Sequence, residues 1–215
     1  MTNRNQLLII SNNLKTASPL LNSDNPFDTI GVIHNELFEV YVTSNNSNNT
    51  LQEIAIEIIE LINDNSALEK TSILINSAFT NQVQQILNYP ENNLDTIILE
   101  SGLSVASETR LNNLIALVSE STTIDYSETC ADIISYEKEI IADISLTTEE
   151  KEIILLVSAI VKYSLYDNGD RPDKDWDISV GNIVSIVYGA VLSPQDALLM
   201  GLTTKIFQNH QQTNQ

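Results

Sequence analysis

Apolar residues recur at intervals of three and four along most of the chain, and strict alternation of apolar and polar residues is rare. Such spacing places apolar side chains on one face of an α-helix. The pattern therefore predicts an all-α fold, a single-domain bundle of about eight helices. No internal repeat or sharp change in composition divides it. One helical domain is predicted over residues 26–208, between a polar N-terminal arm (1–25) and a disordered C-terminal tail (209–215).

Local signals give approximate boundaries for the first helices. Proline suits the first turn of a helix because its φ is fixed, so a helix is predicted to begin near Pro26 with Asn25 as its cap. Residues 44–50 are all Asn, Ser or Thr and predict a linker. Helices are predicted over 51–63 and 67–88, and the second of them is stopped by the next proline.

The second half of the chain carries further signals. Asn93 is expected to cap a short helix that ends at Gly102, and Ser107 is expected to open the next. Thr147 with Glu150 three residues later has the pattern of a capping box. Four more helices are predicted after these. One begins at Asp125 or Ser127, and two cover 148–166 and 178–191. The last covers 194–208, with Ser193 as its cap.

The charge of the chain restricts its partners. It has 29 acidic and 10 basic side chains, a formal net charge of -19. Nucleic-acid binding is not expected, because affinity for phosphates comes from clustered Lys and Arg. The 42% of apolar residues is enough to fill a core at this length without disulfides.

The single cysteine and the lengths of the apolar stretches decide whether a disulfide, a membrane-spanning helix or a signal peptide is expected. Cys130 cannot form an internal disulfide, and it is predicted to fill the core because its acidic neighbours disfavour a reactive thiolate. The longest apolar stretches, 153–161 and 178–192, are shorter than the roughly 20 residues of a membrane span. The apolar run 7–10 is too short for a signal peptide. The sequence therefore predicts neither a membrane-spanning helix nor a signal peptide.

Few residue types for catalysis are present. His210 falls in the predicted tail, which leaves His34 as the one histidine expected to be ordered. Paired Glu-x-x-His di-iron sites and Cys/His zinc sites are thereby excluded. The six scattered glycines form no nucleotide-binding fingerprint. No catalytic residue is assigned, and His34 is interpreted as a histidine whose ring bonds a carbonyl or another side chain.

An acidic segment, residues 167–177, is the best local candidate for a cation site. Asp173, Asp175 and Asp177 match the first, third and fifth positions of a calcium-binding EF-hand loop. The match then breaks, because Ile178 stands where glycine is required. The alternatives are a different calcium geometry and a solvated connector whose acids favour the start of the next helix, and the connector is preferred.

Residues 25–37 read Asn-Pro-Phe-Asp-Thr-Ile-Gly-Val-Ile-His-Asn-Glu-Leu. This resembles the opening Asn-Pro-Tyr-Asp-x-x-Gly-x-x-His-Asn-x-x-Leu of a group of helical proteins from Bacteroidota, many of them exported or lipid-anchored. Residues 163–170, Trp176 and the small residues after it are similar to that group's C-terminal region. The resemblance implies a place in the cell envelope or outside the cell, and it supplies no enzymatic function. The corresponding motif residues, for which it supplies no role, are Asn25, Pro26, Asp28, Gly31, His34 and Asn35.

Three functions remain open at this point. The leading hypothesis is a non-enzymatic protein of the cell envelope, or a secreted one, that acts through protein-protein contacts and needs no cofactor. The second is an immunity or inhibitor protein for a basic toxin, because a compact acidic fold attracts a cationic partner. The third is a cation-dependent binding protein or enzyme that uses the 167–177 segment.

Overall fold

The computed structural model describes residues 21–44, 50–69, 74–120, 126–165 and 180–213. In these ranges the chain forms nine α-helices and no strand, which confirms the all-α bundle, and each helix overlaps one of the predicted helical segments. The helices are α1 (Asp28–Thr43), α2 (Leu51–Asp64), α3 (Ser77–Asn88), α4 (Pro90–Ser101), α5 (Val105–Glu120), α6 (Tyr126–Ala142), α7 (Thr148–Ser164), α8 (Val180–Leu192) and α9 (Pro194–Thr213).

The last three helices form the centre of the bundle. Every residue of α7 from position 153 to 164 is buried, and so is every residue of α9 from 196 to 206. Helices that are buried on all sides need neighbours around their whole circumference. The outer helices supply these neighbours: α1 and α6 pack on α7, α2 packs on α9, and α3 and α4 pack on α8.

The outer helices are amphipathic, as the apolar spacing predicts. In α2, Ile54, Ile58 and Ile62 are fully buried, whereas Glu60 on the other face is exposed. A capping box starts this helix, because the Thr50 hydroxyl accepts from Glu53 N–H at 3.2 Å and the Glu53 carboxylate accepts from Thr50 N–H at 3.2 Å. The local sequence and the packing therefore favour the same helix.

Several predicted boundaries are confirmed by side-chain caps. Thr147 and Glu150 form the predicted capping box, with N–H···O distances of 3.2 and 2.7 Å. The Ser193 hydroxyl accepts from Asp196 N–H at 3.1 Å, with the proline between them at the first position of α9. Gly102 closes α4 in the left-handed conformation, at φ 71°. These signals are local, so the sequence alone was sufficient to place them.

The predicted helix over 67–88 was wrong at its start, because α3 begins only at Ser77. Asn76 provides the reason: its side-chain oxygen accepts from Ala78 N–H at 2.9 Å and from Phe79 N–H at 3.2 Å. Asn65 makes a similar bond to Ala67 N–H, which forms a turn there. A strong cap at Asn76 outweighs the apolar spacing upstream of it.

Two other predicted helix starts were wrong, whereas the first helix starts close to its predicted residue. Helix α4 begins at Pro90, and the predicted cap Asn93 instead donates its side-chain amide to the carbonyl of Tyr89 at 2.8 Å. Helix α5 begins at Val105, two residues before Ser107. Helix α1 begins at Asp28, two residues after Pro26, and in the turn before it the side-chain oxygen of Asn25 accepts from Phe27 N–H at 2.9 Å.

The end of α9 lies beyond its predicted end at residue 208. The helix continues to Thr213, so the predicted tail 209–215 is helical in its first five residues. At the other end of the chain, Asn22 and Asn25 are buried, so the last part of the predicted arm packs against the bundle.

Helices α8 and α9 approach each other closely at Gly189. A Cβ atom added there would lie 2.5 Å from the carbonyl carbon of Asp196 and 2.6 Å from the Cα of Ala197. Both are backbone atoms, which cannot move aside as a flexible side chain can. The small residue is therefore required by the packing.

We expect Gly189→Ala to lower the free energy of unfolding by about 3 kcal/mol, because the added methyl overpacks a backbone contact. Urea denaturation at pH 7 measures the loss. Gly102→Ala is the control: it has open space around it but a positive φ, so it should cost only about 1 kcal/mol. Equal losses in the two variants would contradict this account of Gly189.

Candidate functional site

The sequence motif lies at the start of α1, where this helix crosses α7. A Cβ added at Gly31 would lie 2.5 Å from the carbonyl oxygen of Ala159 and would collide with the Tyr163 ring. Glycine therefore allows the two helices to approach closely. This close approach brings the polar residues of the motif against α7 and its neighbour α6.

A buried charge cluster lies at this crossing and is formed by Asp28 of α1, Glu137 of α6 and Lys162 of α7. The Lys162 ammonium lies 2.6 Å from Asp28 Oδ1, and 3.1 and 3.3 Å from the two carboxylate oxygens of Glu137. The side chains of Lys162 and Glu137 are 0% exposed and that of Asp28 is 5% exposed. Residues from three helices thus meet out of contact with solvent.

Neutral donors complete the cluster around Glu137. The amides of Asn22 and Asn25 donate to its two oxygens at 2.7 and 2.9 Å, and the Ser158 hydroxyl lies 3.0 Å from Oε1. Two carboxylates face one ammonium, so these donors stabilise the excess negative charge. Each oxygen of Glu137 has a partner.

The carboxylate of Asp28 also accepts hydrogen bonds from uncharged donors. The Tyr163 hydroxyl donates to Asp28 Oδ2 at 2.9 Å, and the backbone N–H of Asn22 donates to the same oxygen at 3.3 Å. Burial, followed by the charge of Asp28, raises the pKa of Tyr163 far above its ordinary value, which keeps the phenol protonated and able to donate. The charge cluster is therefore saturated with internal hydrogen bonds.

His34 forms a second buried polar contact further along α1, toward its C-terminal end from Asp28. Its Nδ1 lies 3.3 Å from the Ser164 hydroxyl, and that hydroxyl donates to the carbonyl of Ile160 at 2.7 Å. When the hydroxyl proton is directed at that carbonyl, a hydrogen bond between the two side chains requires the imidazole to carry its proton on Nδ1. Nε2 faces Gly201 and has no hydrogen-bond partner among the described residues.

Lys205 lies beside this contact. Its ammonium donates to the carbonyl of Ser164 at 2.9 Å and stands 4.3 Å from the centre of the Phe38 ring, a cation–π distance. Burial, followed by the charge of Lys205, lowers the pKa of His34 well below its ordinary value. The ring is therefore neutral near pH 7.

The His34–Ser164 pair does not have the geometry of an activated nucleophile. A general base must accept the hydroxyl proton, whereas the closer acceptor for the Ser164 hydroxyl is the carbonyl of Ile160, at 2.7 Å against 3.3 Å to Nδ1. Both side chains are also buried. The arrangement fits the sequence interpretation of His34 as a histidine bonded to another side chain.

The structure unites most of the motif and adds residues that the sequence did not single out. Four of the six motif residues face α6 or α7, namely Asn25, Asp28, Gly31 and His34. Of the other two, Pro26 is exposed and Asn35 is buried. Tyr163, from the second segment of the resemblance, binds Asp28 directly. The residues missed were Glu137, Lys162 and Lys205. A lysine at the end of an apolar helix, and a glutamate in register with Ile133 and Ile140, were the available signals.

The other candidate sites have different outcomes. Asp173, Asp175 and Asp177 lie outside the described residues. Among residues that the structure does describe, no group of three or more His, Cys, Asp and Glu side chains is placed to hold a metal ion. Cys130 is buried as predicted, and burial raises the pKa of its thiol.

None of the helices described here has the length and apolar character to cross a membrane. Comparisons of the chain with models of protein families, with curated proteins and with solved structures found no match.

We expect Lys162→Met to lower the free energy of unfolding by about 3–5 kcal/mol, because it leaves two buried carboxylates without their cation. Urea denaturation at pH 7 measures this loss. In the triple variant D28N/E137Q/K162M most of the stability should return, since no buried charge remains. Lys138→Met, an exposed lysine on α6, is the control and should change stability by less than about 0.5 kcal/mol.

A loss of about 1 kcal/mol or less in Lys162→Met would contradict the central role of the ammonium. So would a triple variant no more stable than the single one.

Stability should fall with pH below about 6.5 because of His34. The unfolded chain binds a proton there that the folded imidazole, with its lowered pKa, does not accept. From pH 6.5 to 5 the loss should be about 1.5 kcal/mol greater in the wild type than in His34→Gln, which does not titrate. Urea denaturation at several pH values measures it, and the comparison cancels the contribution of every other group.

Two carboxylates with a lowered pKa affect stability mainly at pH values below the range from 6.5 to 5. Hydrogen bonds from Ser145 and Arg110 lower the pKa of Asp143 to about 2. For Glu150, burial raises the pKa, but hydrogen bonds from Ser104 and Thr147 outweigh this effect and bring the pKa to about 2.

The His34 prediction would be contradicted if the free energy of unfolding fell equally in the wild type and in His34→Gln between pH 6.5 and 5.

Proposed function

We propose that this chain is a non-enzymatic helical protein of the cell envelope, or a secreted one, that acts through contacts with other proteins. The arrangement of the motif supports this. Its charged residues are buried and hydrogen-bonded to one another, so they position α1, α6 and α7 and offer no group to a substrate. The location rests on the resemblance to the exported Bacteroidota group.

The observation that carries the proposal is the charge of the surface. Within the described ranges thirteen carboxylate side chains are exposed, against a single exposed cation, Lys138. The exposed acids are Asp24, Glu53, Glu60, Asp64, Glu69, Glu91, Asp95, Glu100, Glu128, Asp132, Glu139, Glu149 and Glu152. Such a surface accelerates association with a positively charged protein and disfavours an acidic one.

The same observation supports the second candidate, an immunity or inhibitor protein for a basic toxin. Electrostatic steering gives fast association with a cationic partner. The third candidate, a cation-dependent protein, depends on residues 167–177, of which none is described, so nothing here favours it.

We expect a tagged full-length chain to capture a stoichiometric, basic partner from fractionated native cells after cross-linking, as read by mass spectrometry. The association rate constant with the purified partner should fall at least about tenfold between 20 and 300 mM NaCl, because salt screens the acidic surface. The variant E91Q/D95N/E128Q/D132N should associate more slowly, and N81A/N112A, which changes exposed neutral residues, should not.

Two results would contradict the proposal. One is a chain that remains a lone monomer in every cell fraction. The other is direct turnover of a small molecule by the purified chain. Binding to a partner that is insensitive to salt would retain the interaction and exclude the basic-toxin candidate.

A further inference from the structure

The buried charge cluster contains one more carboxylate than its cation needs. A single carboxylate would pair with the Lys162 ammonium, yet both Asp28 and Glu137 lie against it and both are buried. Removing each carboxylate from water is costly. The second carboxylate is therefore not explained by charge balance.

Three groups of the cluster have the positions that amide formation requires. Lys162 Nζ lies 2.6 Å from Asp28 Oδ1, and because a carboxylate C–O bond is about 1.2 Å long, Nζ is within about 3.9 Å of Asp28 Cγ. Glu137 Oε2 lies 3.1 Å from the same nitrogen, within the reach of a general base. The Tyr163 hydroxyl donates to the other oxygen of Asp28 at 2.9 Å. A nucleophile, a carboxyl carbon, a base and a donor thus meet at one point.

We propose that an amide bond joins Lys162 Nζ to Asp28 Cγ, formed within the folded chain with Glu137 as the general base and acid. The bond links α1 covalently to α7. It does not depend on the proposed function, because all the groups that react belong to this chain.

The reaction releases one water and needs no oxidant or cofactor. A proton moves from the ammonium to Asp28 Oδ1, which gives an amine and a carboxylic acid. Nζ then attacks Cγ, and the Tyr163 hydroxyl stabilises the negative charge that develops on Oδ2. Glu137 takes a proton from the nitrogen and returns it to Oδ1, so the Cγ–Oδ1 bond breaks and water leaves. Glu137 ends as a carboxylate, and the net charge of the cluster is unchanged.

Burial and fixed positions favour this reaction. The side chains of Lys162 and Glu137 are 0% exposed, and in a site without water the ions lose the hydration that would otherwise hold them in their charged forms. Two groups held in one orientation react as if at a concentration of about 10⁵–10⁸ M. The product also replaces one buried pair of opposite charges with a neutral amide.

The environment of Glu137 remains suitable after the reaction. Its two oxygens accept from the amides of Asn22 and Asn25 and from the Ser158 hydroxyl, and none of these neutral donors depends on the ammonium. A carboxylate with several such donors is stabilised in a buried site. The excess carboxylate and its neutral donors are therefore explained together.

The bond would restrain the unfolded chain as a disulfide does. It spans 134 positions in the sequence, and a link across a long loop removes conformational freedom from the unfolded state. The chain has a single cysteine, so no disulfide within it can serve this purpose.

Intact mass spectrometry of the denatured full-length chain tests the proposal. We expect a mass lower than that of the sequence by one water. Trypsin should release residues 16–70 joined to residues 152–174, with no cleavage after Lys162, because its amine is in the amide. Fragmentation of this linked pair should place the bond on Asp28.

Two variants should have the full mass of their sequences. Glu137→Gln removes the base and keeps the Lys162–Asp28 pair, whereas Asp28→Ala removes the carboxyl group that reacts and keeps the Lys162–Glu137 pair. Neither leaves a buried charge unpaired, and circular dichroism melting verifies that both fold. Glu128→Gln, an exposed residue of α6, is the matched control and should lose one water as the wild type does.

The phenol at position 163 should affect the rate alone. In Tyr163→Phe the linked fraction should grow at least about tenfold more slowly after cell-free synthesis, because the donor to Oδ2 is lost. The same product should form in the end.

Four results would overturn the proposal. A wild type that keeps its full mass would leave the cluster as an ionic contact only. A lost water without the linked peptide pair would place the dehydration elsewhere. Loss of ammonia would identify Asn22 or Asn25 as the group that reacts. Formation at the wild-type rate in Glu137→Gln would remove the role of the base.

The urea measurements on Lys162→Met and on the triple variant refer to the ionic cluster, so the mass of each preparation is read first. A linked wild type has a closed loop that neither variant can form, and the triple variant would then regain a smaller part of the stability.

Discussion

The fold depends on one buried ammonium, that of Lys162, held between the carboxylates of Asp28 and Glu137. Removing these charges from water is costly, and the attraction between them offsets the cost only when the distances are short and the remaining oxygens are hydrogen-bonded. Helices α1, α6 and α7 must therefore meet in one arrangement. An alternative packing that buried one of these charges without its partner would be costly, so the cluster favours this arrangement of the three helices.

Two kinds of side chain allow this arrangement. Gly31 has no Cβ, and so α1 approaches α7 closely enough for Asp28 to reach the ammonium. Asn22 and Asn25 then bring the chain before α1 onto Glu137, more than a hundred residues away in sequence. Within residues 25–37, four side-chain positions therefore make contacts with segments that are distant in the sequence: Asn25, Asp28, Gly31 and His34. They differ in chemistry because each fills a different part of one helix crossing.

The features predicted from the sequence were those that depend on near neighbours in the chain. The capping box at Thr147, the cap at Ser193 and the left-handed Gly102 each require only three or four residues, and all were placed correctly. The start of α3 was misplaced because apolar spacing continued upstream of the stronger cap at Asn76. The pairing of Lys162 with Asp28 spans 134 residues. No local pattern in a single sequence specifies such a partner, although a lysine within an apolar helix indicates that one is needed.

The surface of the protein is acidic partly because some of its few cationic side chains are buried. Lys162 and Lys205, two of the few cations in the described chain, are used in the interior, where they fix α7 and α9 against α1. The exposed surface is consequently more acidic than the composition alone requires. Because α7 is fixed by the buried cluster and joined to the start of α5 through Ser104 and Glu150, the position of the exposed acidic residues at the start of α7 depends on the interior contacts. The buried polar residues therefore help to determine how charged side chains are arranged on the surface.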